Sequence, residues 1–300
     1  MRGKTVVGTR LHWHNHSQHD PIEVDRVLNQ VRAFCLHAAT YSDGGILIAV
    51  GLPEAFVSSI PAPQSPYRED FVLSAFTHSV REFMVKLQSE LAAGNLVGKV
   101  VIIPMLHWGK FVPALNAIVG TAADRFPEAE TLLLQSMEIN VHANSVEALH
   151  SHFDSKEDLV VGAALPGHAF HPNSASQPIQ LSGLTSPWNT LALWNLESLI
   201  KIGFALMGDA LRLEVDGIGS AAGIEEVATI AMYQQLYASS TIATTAKLVH
   251  IPSITWHVNE IQDPQRLEWH NKKMLSKLQR AAAQLAHFGV APGRVYHLDA

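Results

Sequence analysis

Short apolar runs alternate with longer amphipathic segments through the first half of the chain. The runs cover 5–11, 45–52, 100–104, 131–134 and 159–163. Apolar residues recur every three or four positions across 22–39, 68–91, 111–126 and 145–153. Short runs of this kind are typical of buried strands, and the longer periodicity is typical of helices that pack on one face. The pattern therefore predicts βαβ units and a mostly parallel sheet with helices on both faces.

Residues at two predicted helix ends favour these boundaries. Asp20 and Pro21 precede the first helical segment, and this pair is typical of an N-cap followed by proline in the first turn. Gly94 follows the second helical segment, where glycine commonly ends a helix in a left-handed conformation. We therefore expect the first helix to begin at Asp20-Pro21 and the second to end at Gly94.

The second half of the chain has a different texture. After Leu165 it is rich in Pro, Ser, Gly and Asn, and 166–187 is a candidate functional loop because it is long, partly apolar and conformationally permissive. Further on, the pattern predicts an apolar periodic segment, a helix, a last strand and a long amphipathic helix at 190–202, 224–237, 246–254 and 264–288. Because no linker separates the halves, we expect one domain over 1–300 whose second half continues the sheet.

Composition and charge exclude several classes of protein. Of the 300 residues, 47% are hydrophobic and 16% charged, which suits a folded globular chain and not a disordered one. With 21 basic and 27 acidic side chains and no run of Lys or Arg, we expect no nucleic-acid partner. No apolar stretch approaches the roughly 20 residues of a membrane helix, so we expect no membrane span. The single cysteine, Cys35, excludes an internal disulfide, so we expect a cytoplasmic protein.

Histidine is over-represented, with 17 residues, and one cluster could bind a metal. His12, His14 and His16 would share one face of a strand, and a later Gly-His-x-x-His loop containing His168 could add ligands. The first cluster is similar to the histidine-and-aspartate motif of metallo-β-lactamase-like hydrolases, but His16 stands where that motif has its aspartate. A His-rich metal-dependent hydrolase is therefore one alternative, and solvated loop histidines are the other interpretation of the cluster.

Several common catalytic motifs are missing from the sequence. No Gly-x-Gly-x-x-Gly or Gly-x-x-x-x-Gly-Lys-Ser/Thr stands at a predicted strand-to-helix turn, and no Gly-x-Ser-x-Gly elbow occurs. These absences argue against a dinucleotide-binding enzyme, a P-loop NTPase and a serine hydrolase. Cys35 lies on the apolar face of the first predicted helix, so a buried, unreactive thiol is expected there.

The order of several weaker signals carries more information than any one of them. The fourth strand continues into Ser136-Met137-Glu138, the segment from Trp188 ends in Gly-Phe, Glu225-Glu226 opens a helix, and His257 follows the last predicted strand. This order, across 97–257, resembles the glycosyltransferase family 2 type of the GT-A fold. In that family a strand ends in an Asp-x-Asp motif, a later segment ends in Gly-Phe, and an acidic pair opens the helix behind the acceptor site.

The resemblance implies a three-layer α/β fold that binds a nucleotide sugar. It implies that 1–165 is a nucleotide-binding half and 166–300 an acceptor half with the C-terminal helix. It also implies a divalent cation, Mn²⁺ or Mg²⁺, held against the donor diphosphate by the Asp-x-Asp carboxylates. Here Ser136 replaces one of those carboxylates with a hydroxyl and Glu138 lengthens the other, which leaves the cation in question.

The resemblance also implies roles for individual residues. Glu138 and His257 would be metal ligands, and Ser136 and Trp188 would contact the nucleotide sugar. Glu225 or Glu226 would act as general base on the acceptor hydroxyl.

Two functions of different class follow from the resemblance. The first is a nucleotide-sugar-dependent glycosyltransferase with an unknown acceptor. The second is a non-catalytic GT-A-like protein that binds or scaffolds, because loss of the aspartates could remove turnover and leave binding. The His-rich hydrolase remains a third alternative.

Overall fold

The computed structural model describes residues 4–13, 20–53, 74–106, 111–172, 176–254 and 264–300. The strands are β1 (Lys4–Leu11), β2 (Gly45–Gly51), β3 (Val100–Met105), β4 (Ala129–Gln135), β5 (Asp158–Ala163), β6 (Ile179–Gln180), β7 (Leu191–Asn195), β8 (Arg212–Val215), β9 (Gly219–Ala222), β10 (Thr245–His250) and β11 (Arg294–Asp299). The helices are α1 (Val24–Ala38), α2 (Ala75–Ala92), α3 (Phe111–Arg125), α4 (Ala143–Ser151), α5 (Leu196–Leu199), α6 (Met207–Ala210), α7 (Glu225–Leu236) and α8 (Pro264–Phe288).

A nine-stranded sheet runs through the described chain in the order β3-β2-β1-β4-β7-β5-β10-β11-β6, and β8 and β9 form a separate hairpin. The strands β1 to β5, β10 and β11 pair in parallel wherever they are neighbours, whereas β7 lies antiparallel between β4 and β5. The edge strand β6 is also antiparallel. The predicted mostly parallel α/β sheet is confirmed, and the second half of the chain continues it as expected.

Two hydrophobic cores cover the two faces of this sheet. Successive strand residues point to opposite faces, so Val6 belongs to one core and its neighbour Val7 to the other. The Val7 core includes the apolar faces of α1, α2 and α4, and the Val6 core includes those of α3, α5, α7 and α8. The three-layer arrangement with helices on both faces is therefore confirmed. Cys35 is fully buried in the first core, and burial raises the pKa of its thiol to about 12, as expected for an unreactive cysteine.

The predicted N-cap of α1 is wrong. The helix begins at Val24, and Glu23 occupies the cap position without a side-chain hydrogen bond, so Asp20 and Pro21 lie before the first turn. The Ile22 N–H donates instead to Ser79 Oγ at 2.9 Å, and the Ile22 side chain is buried. This contact with α2 holds the segment outside the helix. The predicted end of α2 is confirmed, since Gly94 has φ +71°.

The sequence pattern did not predict β7 as a strand separate from α5, and it did not predict the C-terminal strand β11. Residues 190–202 contain both β7 and α5, and the Asn195 side chain accepts the Ser198 N–H at 2.9 Å, so the strand passes directly into the helix. Apolar residues continue across this junction, which hides the change of structure. The strand predicted over 246–254 is observed as β10, Thr245–His250, and it is not the last strand, because β11 follows α8.

The segment predicted as a functional loop, 166–187, is exposed or half-buried over most of its described length and is mostly buried only over 181–187. It contributes β6 and buries Leu181 and Ser186. Gly183 lies so close to α8 that an added Cβ would come within 2.3 Å of the Lys277 carbonyl oxygen. The sheet draws strands from both halves of the chain, and the division at residue 165 stays a prediction. Within the described residues, the helices are too short or too polar to cross a membrane.

Candidate functional site

The candidate site lies at the carboxyl edge of the sheet. Parallel strands end on the same edge, so Arg10 near the end of β1 and Ser136 just after β4 lie close to one another. Strand β7 runs the other way, and its approach through Trp188, Asn189 and Thr190 therefore reaches the same edge. In open α/β sheets this edge is where ligands bind.

Three contacts join the strand ends to one another and to the first turn of α7. The Ser136 N–H donates to the Thr190 carbonyl at 2.9 Å. The Asn189 N–H donates to Glu226 Oε1 at 2.7 Å. Arg10 Nη1 lies 3.7 Å from Glu225 Oε1 as an ion pair. The structure therefore brings Ser136, Glu225 and Glu226 to one place, together with the segment that contains Trp188.

Helix α8 fixes the start of α7 at this edge. Arg280 donates from Nε to the Ala222 carbonyl and from Nη2 to the Gly223 carbonyl, at 2.6 and 2.9 Å. Gly223 also packs closely against α8, because an added Cβ would lie 1.8 Å from Gln284 Oε1 and the Gln284 side chain would have to move. The two glutamates then fall in the first turn of α7, where the helix dipole favours negative charge.

The two glutamates have different surroundings. Glu226 is 6% exposed, and burial first and the charge of Glu225 second raise the pKa of its carboxyl to about 7. The positive charge of Lys277 acts in the opposite direction on that pKa. The Glu225 side chain is 13% exposed and is paired with Arg10. Glu225 is therefore the more accessible carboxylate, whereas Glu226 anchors the chain before β7 to α7.

The raised pKa of Glu226 predicts a pH-dependent stability. Between an unfolded pKa of 4.5 and a folded pKa of about 7, the native state holds more protons than the unfolded state. The free energy of unfolding therefore falls as pH rises through this window. The full loss above it is roughly 3 kcal/mol, from 1.36 kcal/mol per pKa unit.

Glu226→Gln removes this titration and keeps an oxygen that can accept the Asn189 N–H. Relative to wild type, we expect this variant to gain roughly 2–3 kcal/mol of stability between about pH 5 and about pH 8, measured by urea unfolding. Glu197→Gln is the matched control, because the Glu197 side chain is 86% exposed. Parallel stability curves for wild type and Glu226→Gln would contradict the raised pKa.

Trp188 is buried and not open to a sugar ring in this conformation. The residue is 2% exposed, and its Nε1 donates to the Gly183 carbonyl at 2.9 Å. The His168 ring stacks on it with centroids 3.5 Å apart, and Lys277 Nζ lies 3.3 Å from the ring centroid. The role of Trp188 in ligand contact stays a prediction, and its observed contacts are structural.

Both ring nitrogens of His168 are hydrogen-bonded to backbone groups. Its Nδ1 accepts the Leu165 N–H at 2.8 Å, and its Nε2 lies 3.0 Å from the Ser186 carbonyl. Burial lowers the pKa of its imidazole to about 3. A neutral ring with both nitrogens hydrogen-bonded has no free lone pair for a metal unless these bonds break.

The N-terminal histidine cluster is described only in part. His12 packs beside Phe111 at 5.1 Å between ring centroids, and His14 and His16 lie outside the described residues.

The described residues at the Asp-x-Asp position do not fit a divalent-cation site. Ser136 contributes a hydroxyl, and that oxygen accepts the Glu138 N–H at 3.4 Å. Glu138 is exposed, and within the described ranges no three His, Cys, Asp or Glu side chains group together as metal ligands. His257, the other predicted ligand, lies outside the described residues. A hard cation is normally held by several oxygens, often from more than one carboxylate.

The cationic residues of this site were not predicted from the sequence. Arg10, Lys277 and Arg280 reach the edge from β1 and α8, far apart in sequence. Arg10 had a visible signal, because it is the one charged residue of the run 5–11. Lys277 and Arg280 had none, because lysine and arginine on a long amphipathic helix are usually solvated.

A second polar feature lies at the opposite edge of the sheet. A depression of about 540 Å³ is lined by residues that include His152, Asp154 and Lys247. Lys247 Nζ donates to Asp158 Oδ2 at 2.6 Å and to the His152 carbonyl at 2.9 Å. Asp158 is fully buried at the start of β5. The Lys247–Asp158 ion pair beside this depression stabilises the fold, and it is remote from the candidate site.

Comparison with known proteins identifies the fold. No protein-family model matches the sequence, and no curated protein matches it. Among solved structures, the mannosyltransferase PcManGT from Pyrobaculum calidifontis, in complex with GDP-Man and Mn²⁺, superposes with a TM-score of 0.50 at 10% sequence identity. The chain has a GT-A-like glycosyltransferase fold.

The similarity to the mannosyltransferase is partial and concerns the fold. The match covers 96% of this chain but 64% of the mannosyltransferase, so the chain spans less than two thirds of that protein. Two further matches have lower TM-scores. TarS residues 1–349 from S. aureus has 10% sequence identity and a TM-score of 0.41, and the match covers 94% of this chain and 68% of that chain. HddC from Yersinia pseudotuberculosis has 9% identity and a TM-score of 0.38, and the match covers 72% of this chain and 88% of HddC. Scores this low support no argument about function. The GT-A-like fold is shared, and a fold does not by itself imply an activity.

Proposed function

We propose that this chain binds a nucleotide sugar at the carboxyl edge of its sheet and transfers the sugar to a hydroxyl acceptor. The observation that carries the proposal is the convergence of Arg10, Glu225 and Glu226 with the end of β4 at this edge. Cationic and acidic side chains of β1 and α7 meet the end of β4 and the segment before β7, where a GT-A-like fold would hold a donor. The GDP-Man bound in the mannosyltransferase makes nucleotide sugars the natural ligand class to test.

The transfer reaction assigns chemistry to each of these groups. The bond between the anomeric carbon and the diphosphate oxygen breaks, and the nucleoside diphosphate leaves with the electron pair. The acceptor oxygen forms the new bond to that carbon, and its proton passes to a carboxylate. Positive charge near the diphosphate lowers the barrier because negative charge develops on the leaving group.

Glu225 is the residue we assign as the general base. Its side chain retains more exposure than that of Glu226 and lies at the mouth of the first turn of α7. The Glu226 carboxylate already accepts the Asn189 N–H and is almost completely buried. We therefore assign Glu226 as a positioning residue that holds the segment before β7 against α7.

A thermal-shift measurement with nucleotide sugars tests the binding part of the proposal. At a free concentration about 100 times the Kd, one bound donor adds about 2.7 kcal/mol to the stability of the native state. For a chain of this length, that corresponds to a rise in Tm of about 4 °C. GDP- and UDP-sugars are tested with and without Mn²⁺, and free mannose and GlcNAc serve as controls. No rise in Tm with any nucleotide sugar, in either buffer, would remove the proposal.

A non-catalytic binding protein is the second candidate function. The specific observation that favours it is the replacement of the Asp-x-Asp carboxylates by Ser136 and Glu138. This alternative predicts the same rise in Tm, with no release of nucleoside diphosphate from the bound donor. It also predicts that Glu225→Gln changes nothing that can be measured with the donor other than its affinity. Turnover that depends on Glu225 excludes it.

A further inference from the structure

We propose that Arg10 supplies the counter-charge for the donor diphosphate, in place of a divalent cation at Ser136 and Glu138. This inference rests on the proposed function. A GT-A-like chain with an Asp-x-Asp motif would hold a cation at this position. The side chains that stand here have a different chemistry, so the binding of a nucleoside diphosphate should not require a metal.

The donor set at the end of β4 is the first argument. Ser136 is neutral, and Met137 packs partly buried against the hydrophobic core. Glu138 is the one carboxylate of the three positions, and its side chain is on an exposed part of the loop. One carboxylate and one hydroxyl leave most of the roughly six oxygen ligands of Mg²⁺ or Mn²⁺ to be found elsewhere.

The position of Arg10 is the second argument. Strands β1 and β4 pair in parallel up to Gly8 and Leu134, and two further residues in the same register place Arg10 beside Ser136. Val6, Leu132 and Leu134 share one core, so this register puts Arg10 on the face of the sheet covered by α3. A positive side chain therefore lies next to the position where the family resemblance implies a cation.

The hydrogen bonding of Arg10 is the third argument. Its Nη1 is buried, and none of the described residues accepts a hydrogen bond from it. Glu225 lies 3.7 Å from Nη1, which is within ion-pair range but too long for a hydrogen bond. The guanidinium carbon lies over the Phe111 ring, 4.7 Å from its centroid. A planar guanidinium with unused N–H groups matches the oxygens of a phosphate.

The other described cationic side chains of the site make contacts that stabilise the fold. Arg280 donates to the carbonyls of Ala222 and Gly223, and Lys277 lies over the Trp188 ring. Both charges still contribute to a positive potential around Arg10. Because burial raises the pKa of Glu226, this carboxyl opposes that potential less at neutral pH. The edge can therefore accept a diphosphate on side-chain charge alone.

Titration calorimetry separates the two sources of positive charge. GDP and UDP, with guanosine and uridine as uncharged partners, are titrated into wild type, Arg10→Gln, Arg10→Lys and Glu138→Gln, each in excess EDTA and in Mn²⁺. We expect wild type and Glu138→Gln to bind the diphosphate equally well in both buffers, within about threefold. Arg10→Gln should weaken diphosphate binding by about tenfold or more, nucleoside binding by less than about twofold, and Arg10→Lys should lie between.

Each remaining outcome counts against the inference in a distinct way. Binding that appears only with Mn²⁺ and is lost in Glu138→Gln overturns the inference and leaves the proposed function standing. Equal weakening of nucleoside and diphosphate in Arg10→Gln, while Arg10→Lys is unchanged, assigns Arg10 a packing role and also overturns it. No binding of any nucleotide in either buffer removes the inference and the proposed function together. Thermal unfolding of each variant establishes that it is folded before titration.

Discussion

Replacing Glu225 with glutamine is expected to slow sugar transfer by about 100- to 10,000-fold, the range over which a general base contributes to a reaction. The physical reason is that the amide cannot take the acceptor proton, although it fills the same space. The measurement is the release of nucleoside diphosphate from the donor, with water or an added hydroxyl compound as acceptor. Donor affinity should stay the same or increase, because Glu225 competes for Arg10 at 3.7 Å.

Two further variants show whether the loss belongs to Glu225 itself. Glu226→Gln keeps an acceptor for the Asn189 N–H, so it should reduce turnover far less than Glu225→Gln. Glu147→Gln removes an exposed carboxylate from α4, and it should leave turnover unchanged. If Glu226→Gln abolishes transfer and Glu225→Gln retains it, the two assigned roles are reversed.

Lys247→Met is expected to lower the free energy of unfolding by about 3–5 kcal/mol, the usual effect of leaving one partner of a buried ion pair alone. Asp158 is completely buried, and its Oδ2 accepts from Lys247 Nζ at 2.6 Å. Burial raises the pKa of the Asp158 carboxyl, and the Lys247 hydrogen bond lowers it. Without Lys247, the native state must either protonate Asp158 or bury an unpaired charge. Urea unfolding at neutral pH measures this cost.

The origin of that cost can be tested by removing both charges. Asp158→Asn combined with Lys247→Met should recover most of the lost stability, because no charge then remains in the interior. The loss in the single variant should also shrink at acid pH, where Asp158 binds a proton. Lys86→Met is the exposed control, because Lys86 is 40% exposed and its ion pairs with Asp25 and Glu82 are screened by solvent and contribute little to stability. A double variant no more stable than Lys247→Met would contradict the explanation.

These two large effects concern opposite edges of one sheet. The Lys247–Asp158 pair lies at the amino-terminal start of β5, and the glutamate pair lies at the carboxyl edge. Lys247→Met should therefore change stability without changing the donor affinity of the folded protein. Residues far apart and without shared partners usually contribute independently.

The sequence alone determined the fold class and predicted an edge of the sheet for the candidate site. Unbroken apolar runs such as 45–52 bury both faces of a strand, and helical periodicity between them leaves a parallel sheet as the simplest arrangement. Once the sheet is parallel, residues after β1 and β4 must reach the same edge. The order of Ser136-Met137-Glu138 and Glu225-Glu226 was sufficient for the resemblance to a GT-A fold.

Only the tertiary structure decided which side chains are available at that edge. The sequence could not place β7 between β4 and β5, because strand pairing is set by contacts between residues distant in the chain. Nor could it distinguish the Arg10-paired Glu225 from the buried Glu226, which are adjacent and chemically identical. Burial and pairing come from α8 and β1, which lie many residues away. A local pattern specifies where a side chain can go, whereas its exposure, charge state and partner depend on non-local packing.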